Sequence, residues 1–180
     1  MNSIQRQNIH DFLDIVSSVD PKTFRQKQVI EWLYCKGVGS FEDMKNLPKA
    51  LRESLEKKTT FSPAKIIESK KSSDSSTKHL VQLGDSSIIE CVAIHAKGAA
   101  NRLTACLSSQ VGCAMGCCFC ATGKLGFKRN LGFGEILEQV LLIEKEHGQK
   151  VANIVMMGQG EPLLNYDNVL AALEILNTFK

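Results

Sequence analysis

The stretch from Leu107 to Cys120 reads LSSQVGCAMGCCFC and organises the rest of the chain. It places Cys113, Cys117 and Cys120 at a C-x-x-x-C-x-x-C spacing, and its two glycines let the backbone turn tightly between the thiols. Three thiolates at this spacing predict ligands for three irons of a 4Fe-4S cluster, with the fourth iron open to a small molecule. The four-cysteine C-x2-C-x2-C-x3-C-P run of electron-carrying clusters is absent.

Zinc is the main alternative for closely spaced cysteines. A structural zinc site needs four ligands, usually as two separated pairs, so Cys118 or Cys106 would have to serve as the fourth. Inert buried thiols fit less well, because cysteines clustered in a glycine-rich loop do not form a core stripe. Cys118 adjoins Cys117, but only Cys117 gives the three-then-two spacing.

The segments around the cysteine loop resemble a known family. Phe119 stands just before the last cysteine, as in radical S-adenosylmethionine (radical SAM) enzymes. The segments CLSSQVGC, FCATGKLGFKRNL and VMMGQGEPLLN closely resemble the RlmN/Cfr family of radical SAM RNA (adenine) methyltransferases, in its RlmN branch. The resemblance runs from about Phe24 to the end of the chain, and it implies the N-terminal half of such an enzyme.

The bulk properties predict a globular, cytoplasmic protein. Of the 180 residues 43% are hydrophobic, and the formal charge of +3 permits an RNA partner without demanding one. The seven cysteines are an odd number, and Arg6, Asp11 and Asp14 lie where a signal peptide would have an apolar run. No stretch approaches the roughly 18 apolar residues of a membrane span. We therefore expect a reducing compartment and no membrane partner.

Residues 1–60 predict a small helical domain. One helix follows the apolar spacing of Ile9–Val16, a second starts at Asp20-Pro21 and ends at Gly37, and a third opens at Pro48. One interpretation is a satellite domain with a solvated basic face. The family resemblance implies instead an accessory domain that helps to grip folded RNA.

Residues 61–98 change to a strand pattern. Runs rich in β-formers alternate with polar turns, which predicts two or three antiparallel strands as an extension between the helical domain and the core. In the last of these strands, Glu90 lies between Ile88-Ile89 and Cys91-Val92. Glutamate is commonly an outward-facing carboxylate there. The family resemblance implies a general base at Glu90.

Residues 99–180 predict an α/β core. A strand at Arg102–Ser108, a helix at Gly134–His147 and an apolar run at Val151–Met157, expected to be buried on both faces, form a right-handed βαβ unit. The helix is expected to end at Gly148 and to bury a broad apolar face, formed by Ile136, Leu137, Val140, Leu141 and Ile143. Asp167 is expected to cap a last helix. The fold class is therefore α/β: a helical domain, a β-strand linker region and, by the resemblance, the first two βα units of a radical SAM partial (β/α) barrel.

Further candidate site residues lie beside the core strands. The family resemblance implies that Phe119, Gly160 and Glu161 contribute to S-adenosylmethionine binding, and the glycines of the segment GQGEP would allow close backbone approach. Cys106 is either a small buried hydrophobe or, by the resemblance, the cysteine that resolves a protein–RNA adduct by disulfide formation.

The basic turn after the cysteine loop has two interpretations. Lys124, Lys128 and Arg129 would meet RNA phosphates, or they would form a solvated turn.

The resemblance implies methylation of carbon 2 of adenine in large-subunit ribosomal RNA and transfer RNA. The cofactors would be a 4Fe-4S cluster and S-adenosylmethionine, with a flavodoxin-type electron donor. Pro162 is typical of the carbon-2 branch, whereas the Cfr type, which acts on carbon 8, usually has alanine there. Two further hypotheses are a radical SAM enzyme with a small-molecule substrate and a truncated, non-catalytic iron–sulfur or zinc module.

The chain is expected to be incomplete for turnover. Only two βα units can be counted, and the family's methyl-carrying cysteine lies in a C-terminal part that has no counterpart here. We therefore expect half of a longer enzyme, a truncated product or one piece of a split protein. It would pair with a C-terminal half or self-associate through an open sheet edge.

Overall fold

The structure, a computed structural model, describes residues 2–3, 9–60, 63–95 and 102–179. Its first part is mainly helical: α1 at Ile9–Val19, α2 at Thr23–Ile30, a π-helical turn at Glu31–Cys35, a 3₁₀ turn at Phe41–Asp43 and α3 at Lys49–Lys58. The predicted start of the second helix was two residues early, because the Asp20 carboxylate accepts from the backbone N–H of Lys22 in a turn before α2. Gly37 follows the helical segment with φ +63°, as predicted.

The helices share their core with a later helix of the chain, α5 at Phe133–His147. The rings of Phe12 and Tyr34 pack on Phe133, at centroid distances of 6.3 Å and 5.7 Å. Full burial of one such large apolar side chain contributes about 1.5–3 kcal/mol. The helical part is thereby held against the α/β part by ordinary core packing.

A five-stranded mixed sheet forms the second part. The strands are β3 at Lys65–Lys71, β4 at Thr77–Gln82, β5 at Ile88–His95, β6 at Leu103–Cys106 and β9 at Val151–Val155. The first four pair antiparallel in succession, and β6 pairs parallel with β9. Two or three strands were predicted for residues 61–98, and the structure has three, which continue the core sheet directly.

The helix α5 covers one face of the sheet, and its predicted apolar face is buried at Ile136, Leu137, Val140 and Ile143. It ends at Gly148 in the left-handed conformation, as predicted. The alternation of buried and partly exposed residues along β4, β5 and β6 leaves the opposite face of the sheet open.

The strand β9 is less buried than predicted. Ala152 and Asn153 are exposed, and Met157, just beyond the strand, is 81% exposed. Burial on both faces needs helical layers on both sides of the sheet. Among the described residues β9 has a strand neighbour on one side only, so the predicted two-sided burial was wrong for this chain.

Shorter elements complete the fold: the pair β1 at Asn2–Ser3 and β2 at Thr59–Thr60, then β7 at Gln110–Gly112, α4 at Ala121–Lys124, β8 at Phe127–Asn130, a 3₁₀ turn at Pro162–Asn165 and α6 at Tyr166–Phe179. The predicted cap at Asp167 was wrong, because the 3₁₀ turn runs into α6 and Asp167 lies in its first turn. Within the described ranges, no helix combines the length and apolar character needed to cross a membrane.

Candidate functional site

The cysteine segment and the GQGEP segment leave adjacent strand ends and are joined by backbone hydrogen bonds. Beyond the ladder of β6 and β9, the N–H of Gly158 donates to the carbonyl of Leu107 at 2.9 Å. The N–H of Ser109 donates to the carbonyl of Gln159 at 2.8 Å. The two segments that the sequence singled out therefore lie side by side at the carboxyl end of the parallel strands, where α/β folds commonly bind ligands.

Ser108 connects this junction to β5. Its buried hydroxyl donates to the backbone carbonyl of Glu90 and accepts from the N–H of Gln159 at 2.8 Å. One side chain thus fixes the backbones of β5, the β6 exit and the GQGEP segment relative to each other.

Gln110 holds the GQGEP segment from the other side. Its Oε1 accepts from the N–H of Glu161 at 3.1 Å, and its Nε2 donates to Asn130 Oδ1 at 2.8 Å. Gly160 lies against it with φ +95°, and a Cβ built on Gly160 would stand 2.5 Å from the Cβ of Gln110. Only glycine fits this position, because both the conformation and the space exclude a side chain.

The buried amide of Gln139, on α5, pairs with the peptide groups of Ser108. Its Oε1 accepts from the Ser108 N–H at 2.8 Å, and its Nε2 donates to the Ser108 carbonyl at 3.0 Å. Ser108 lies just past the end of β6, so these two peptide groups have no partner in a neighbouring strand. Without the Gln139 amide they would be costly to bury. Gln139 was not predicted, although a glutamine three positions after Ile136 interrupts the apolar face of α5 and could have indicated a buried polar contact.

Asn165 ties the turn after GQGEP to the same junction. Its Nδ2 donates to the carbonyls of Ser109 and Leu131, both at 2.8 Å, and its Oδ1 accepts from Asn168. No sequence pattern indicated this residue, because its partners are distant in the chain.

Arg129 is held by carboxylates. Its guanidinium donates to both oxygens of the buried Glu135 carboxylate at 2.8 Å and contacts Asp85 at 2.9 Å. The interpretation of Arg129 as a phosphate contact is therefore wrong, since its donors are already paired. Lys124 and Lys128 are exposed, and for them that interpretation stays a prediction.

The cysteine loop itself is an exposed turn. Cys113, Cys117 and Cys120 are half-buried, Cys118 is exposed, and Phe119 is 89% exposed. Hydrogen bonds from the backbone N–H groups of Gly123 and, to a lesser degree, Thr122 lower the pKa of the Cys120 thiol. That environment favours the thiolate, which is the form that binds metal.

The close approach of β7 and β8 shapes the base of this loop. Gly112 has φ +75°, and a Cβ built there would lie 1.8 Å from the carbonyl oxygen of Gly126. The N–H of Cys113 donates to that same oxygen at 3.1 Å. The start of the loop is therefore fixed by backbone contacts that exclude any side chain at Gly112.

The donor set of the loop fits an iron–sulfur cluster in its chemistry, since three thiols are the ligand type that such clusters take. In the part of the chain that the structure describes, no three metal-ligating side chains are gathered closely enough to hold an ion. All seven cysteines are free thiols. The disulfide that the resemblance implied for Cys106 is therefore not seen within this chain.

Glu90 and Cys106 lie on the same open face of the sheet. Val92 pairs with Cys106 in the β5–β6 ladder, and Glu90 is two positions from Val92. The Lys78 ammonium contacts Glu90 Oε1 at 3.2 Å, and burial raises the pKa of the Cys106 thiol. Their proposed roles stay predictions, but the fold puts both side chains on the face that α5 leaves uncovered.

Comparison with protein families gives two matches. Residues 1–61 match the family described as ribosomal RNA large subunit methyltransferase N-terminal domain. Residues 107–178, which contain the cysteine loop and GQGEP, match the radical SAM superfamily.

Individual relatives match nearly the whole chain. The probable dual-specificity RNA methyltransferase RlmN of Thermotoga neapolitana is 42% identical over 98% of this chain and 51% of its own length. The protein of the same name from Akkermansia muciniphila is 46% identical over 87% of this chain and 45% of its own. The crystal structure of a radical SAM methyltransferase from Sphaerobacter thermophilus aligns with a TM-score of 0.77 and 32% identity, covering 98% of this chain and 52% of that one.

These matches agree in extent as well as in kind. The chain spans about half the length of the curated relatives it matches, and the matched half includes the N-terminal domain. The fold is also consistent with the aligned crystal structure. It is a mixed α/β fold in which helices come first, antiparallel strands next and a parallel βαβ unit last. The chain therefore belongs to the RlmN family of radical SAM RNA methyltransferases, of which it represents the N-terminal half.

Proposed function

We propose that this chain is the cofactor-binding half of an enzyme that methylates carbon 2 of adenine in large-subunit ribosomal RNA and transfer RNA. The observation that carries the proposal is the hydrogen-bonded junction between the cysteine segment and GQGEP at the ends of β6 and β9. In this proposal residues 1–60 are an accessory domain that grips RNA, residues 61–98 are a strand extension, and residues 99–180 belong to the radical SAM core.

Cys113, Cys117 and Cys120 would hold a 4Fe-4S cluster, and Phe119, Gly160 and Glu161 would contact S-adenosylmethionine. Bound together, these cofactors supply the radical chemistry that an unreactive aromatic carbon requires. The protein's part is to position them. Gln110 fixes the backbone of Glu161, so the segment proposed to bind S-adenosylmethionine has its conformation set before any ligand arrives.

Glu90 and Cys106 would act on the RNA from the open face of the sheet. Glu90 would accept a proton from the adenine ring, and Cys106 would release the methylated product from the methyl-carrying cysteine that the family has in its C-terminal half. Ser108, two positions after Cys106, supports both roles. Its hydroxyl donates to the backbone carbonyl of Glu90 and so holds this part of β5 beside the end of β6.

A partner would complete the site. A C-terminal half would add strands beside β9, and a second copy of this chain is the alternative occupant of that edge. The working enzyme would be cytoplasmic and would draw electrons from a flavodoxin-type donor. Chromatography of the product nucleosides against 2-methyladenosine and 8-methyladenosine standards, with detection by mass spectrometry, separates carbon-2 from carbon-8 methylation.

The decisive experiment is anaerobic reconstitution of the chain with iron and sulfide. We expect about four irons per chain and an electron paramagnetic resonance spectrum that changes when S-adenosylmethionine is added. Cys117→Ala should lose nearly all of this iron, because one of three thiolate ligands is removed. Cys118→Ala is the matched control and should retain it.

Two results would contradict the assignment. Full iron retention in Cys117→Ala would exclude Cys117 as a ligand. One tightly bound zinc, or a cluster whose spectrum ignores S-adenosylmethionine, would favour the non-catalytic metal-binding module instead.

A further inference from the structure

Two lysines lie directly opposite each other on the open face of the sheet, the face that α5 leaves uncovered. In the β3–β4 ladder Lys70 pairs with Lys78, and both side chains are exposed. The residues next to them, Ser69 and His79, contact each other on the covered face, where His79 also contacts His147 of α5. Opposite side chains of an antiparallel pair have Cβ atoms about 5 Å apart, so two positive charges are held close together.

This arrangement is unfavourable for the chain alone, because like charges directly opposite each other destabilise a sheet. Lys78 contacts Glu90 Oε1 at 3.2 Å, but the two side chains are 50% and 38% exposed, and ion pairs this exposed contribute little stability. Glu68 is on the same face as Lys70, two positions away, yet the described residues give Lys70 no ion pair. One carboxylate contact therefore serves two ammonium groups.

Protection of the sheet edge explains only one of the two lysines. The strand β3 is an edge strand, where an exposed lysine resists pairing with another chain. The strand β4 has β3 on one side and β5 on the other, so that reason does not apply to Lys78. An anion that binds to both ammonium groups explains the pair as a whole.

The ladder register leads from the two lysines to Cys106. Lys78 is opposite Val92, and Val92 is opposite Cys106, so the lysines and Cys106 lie in one row on the open face. Neighbouring strands are about 4.8 Å apart, which places β4 about 10 Å from β6. One nucleotide of RNA is long enough to span this distance, with its base at β6 and its phosphate at β4.

We propose that Lys70 and Lys78 bind a phosphate of the RNA strand and so place the attached nucleotide with its base beside Glu90 and Cys106. The inference rests on the proposed function, which brings an adenine to this face, and it adds two positioning residues to that site. A lysine ammonium has three donors, so Lys78 keeps its contact with Glu90 while it donates to the phosphate.

The test is the salt dependence of RNA binding. Fluorescence anisotropy with a short, labelled, single-stranded RNA that contains adenine gives the Kd of the 180-residue chain at several KCl concentrations. Each phosphate contact to a single strand contributes about 0.7 to the slope of log Kd against log salt. Lys70→Gln and Lys78→Gln should each lower the slope by about 0.7, which corresponds to about fivefold in Kd for a tenfold change in salt.

Lys71→Gln is the matched control for Lys70→Gln. Lys71 carries the same charge on the same strand, but it is opposite the buried Thr77, on the covered face. The variant should keep the salt slope of the parent chain. Equal changes in Lys70→Gln and Lys71→Gln would show that only the net charge matters, and they would overturn the proposal.

The stability of the RNA-free chain separates a binding role from a structural role. Because Lys70→Gln removes one of two opposed like charges, the variant should keep or raise the thermal midpoint of unfolding. A lower midpoint would mean that Lys70 stabilises the fold, which contradicts the argument from the like-charge pair.

Acetylation footprinting locates the bound RNA. With RNA present, Lys70 and Lys78 should be protected from a lysine-acetylating reagent, as measured by mass spectrometry, whereas Lys71 should stay reactive. Absence of RNA binding, or binding that leaves Lys70 and Lys78 unprotected, would overturn the inference. Displacement of the RNA by inorganic phosphate at matched ionic strength would identify a site for free anions and would also overturn it.

Iron reconstitution keeps this test apart from the test of the proposed function. Lys70→Gln and Lys78→Gln should retain the iron and the response to S-adenosylmethionine, since neither lysine belongs to the cysteine loop or to GQGEP. A parent chain that takes up no iron would contradict the proposed function, whatever the lysines do. A chain that assembles its cluster, and whose lysine variants bind RNA as the parent does, would overturn this inference alone.

Discussion

The strand-end junction and the cysteine loop are neighbours in the chain but opposite in character. At the junction, Ser108, Gln139 and Asn165 are buried, and each is paired through its side chain. In the loop, the side chains of Met115 and Phe119 are mostly exposed, and the contacts that shape it come mainly from the backbone. The junction is therefore a scaffold whose polar side chains are already paired within the chain, whereas the loop exposes side chains that a ligand or cofactor could contact.

The largest expected loss of stability comes from the substitution Arg129→Met. The carboxylate of Glu135 is 1% exposed and accepts both of its side-chain contacts from Arg129, so the variant leaves a buried charge unpaired. We expect the free energy of unfolding to fall by about 3–5 kcal/mol. Urea unfolding followed by circular dichroism measures it.

The double variant Arg129→Met with Glu135→Leu is the control. Removing both charges should restore most of the lost stability, because the penalty arises from the orphaned carboxylate. A single variant as stable as the parent chain would show that this ion pair does not hold the scaffold.

A smaller effect is expected from Gln139→Leu. The apolar side chain fills a similar volume but leaves the N–H and the carbonyl of Ser108 without partners. We expect a loss of about 2–3 kcal/mol, since two buried groups lose their partners and each costs at least about 1 kcal/mol. The same unfolding measurement applies.

Gln82→Leu, on the open face of the sheet, is the matched control for that substitution, with an expected change within about 0.5 kcal/mol. Equal losses in the two variants would mean that the Gln139 amide contributes nothing specific. Iron reconstitution of Gln139→Leu then shows whether the loop depends on the scaffold below it.

The smallest effect concerns three histidines at the far end of α5. His79 Nδ1 contacts Ser69 Oγ at 2.8 Å, and His147 contacts His79 and His95 at 3.1 Å on its two ring nitrogens. Burial is the main cause that lowers the pKa of His79 and of His147. The charge of His147 lowers the pKa of His79 further, and Glu146 raises it. For His147, the charges of His95 and Lys71 lower the pKa further, and Glu146 again raises it.

A pKa that is lower in the folded than in the unfolded chain sets the sign of the pH dependence. The folded state binds fewer protons, so the stabilisation is present above the unfolded value of about 6.5 and is lost as the pH falls through the folded values. We expect the free energy of unfolding to drop by on the order of 1 kcal/mol from about pH 7.5 to about pH 5.5. His79→Gln should flatten that slope, and an unchanged slope would contradict the assignment.

The sequence predicted what depends on local spacing. The three-thiol loop, the apolar face of α5 and its end at Gly148 all follow from patterns within one turn or one helix. The pairing of Gln139 with Ser108 and of Arg129 with Glu135 does not, because polar contacts across the fold carry no period. The burial of β9 was mispredicted for a related reason. An apolar run indicates burial on both faces only when other parts of the fold cover both faces of the sheet.

The order of the strands determines at which edge the sheet can accept a further strand. Both sides of β6 are occupied, by β5 and by β9, so no strand can insert at the centre. At one end, the edge strand β3 carries Lys65, Lys70 and Lys71 on exposed positions, and charged edges of this kind resist pairing with another chain. Extension is therefore one-sided: a strand added to this fold, whatever its source, is expected to enter beside β9.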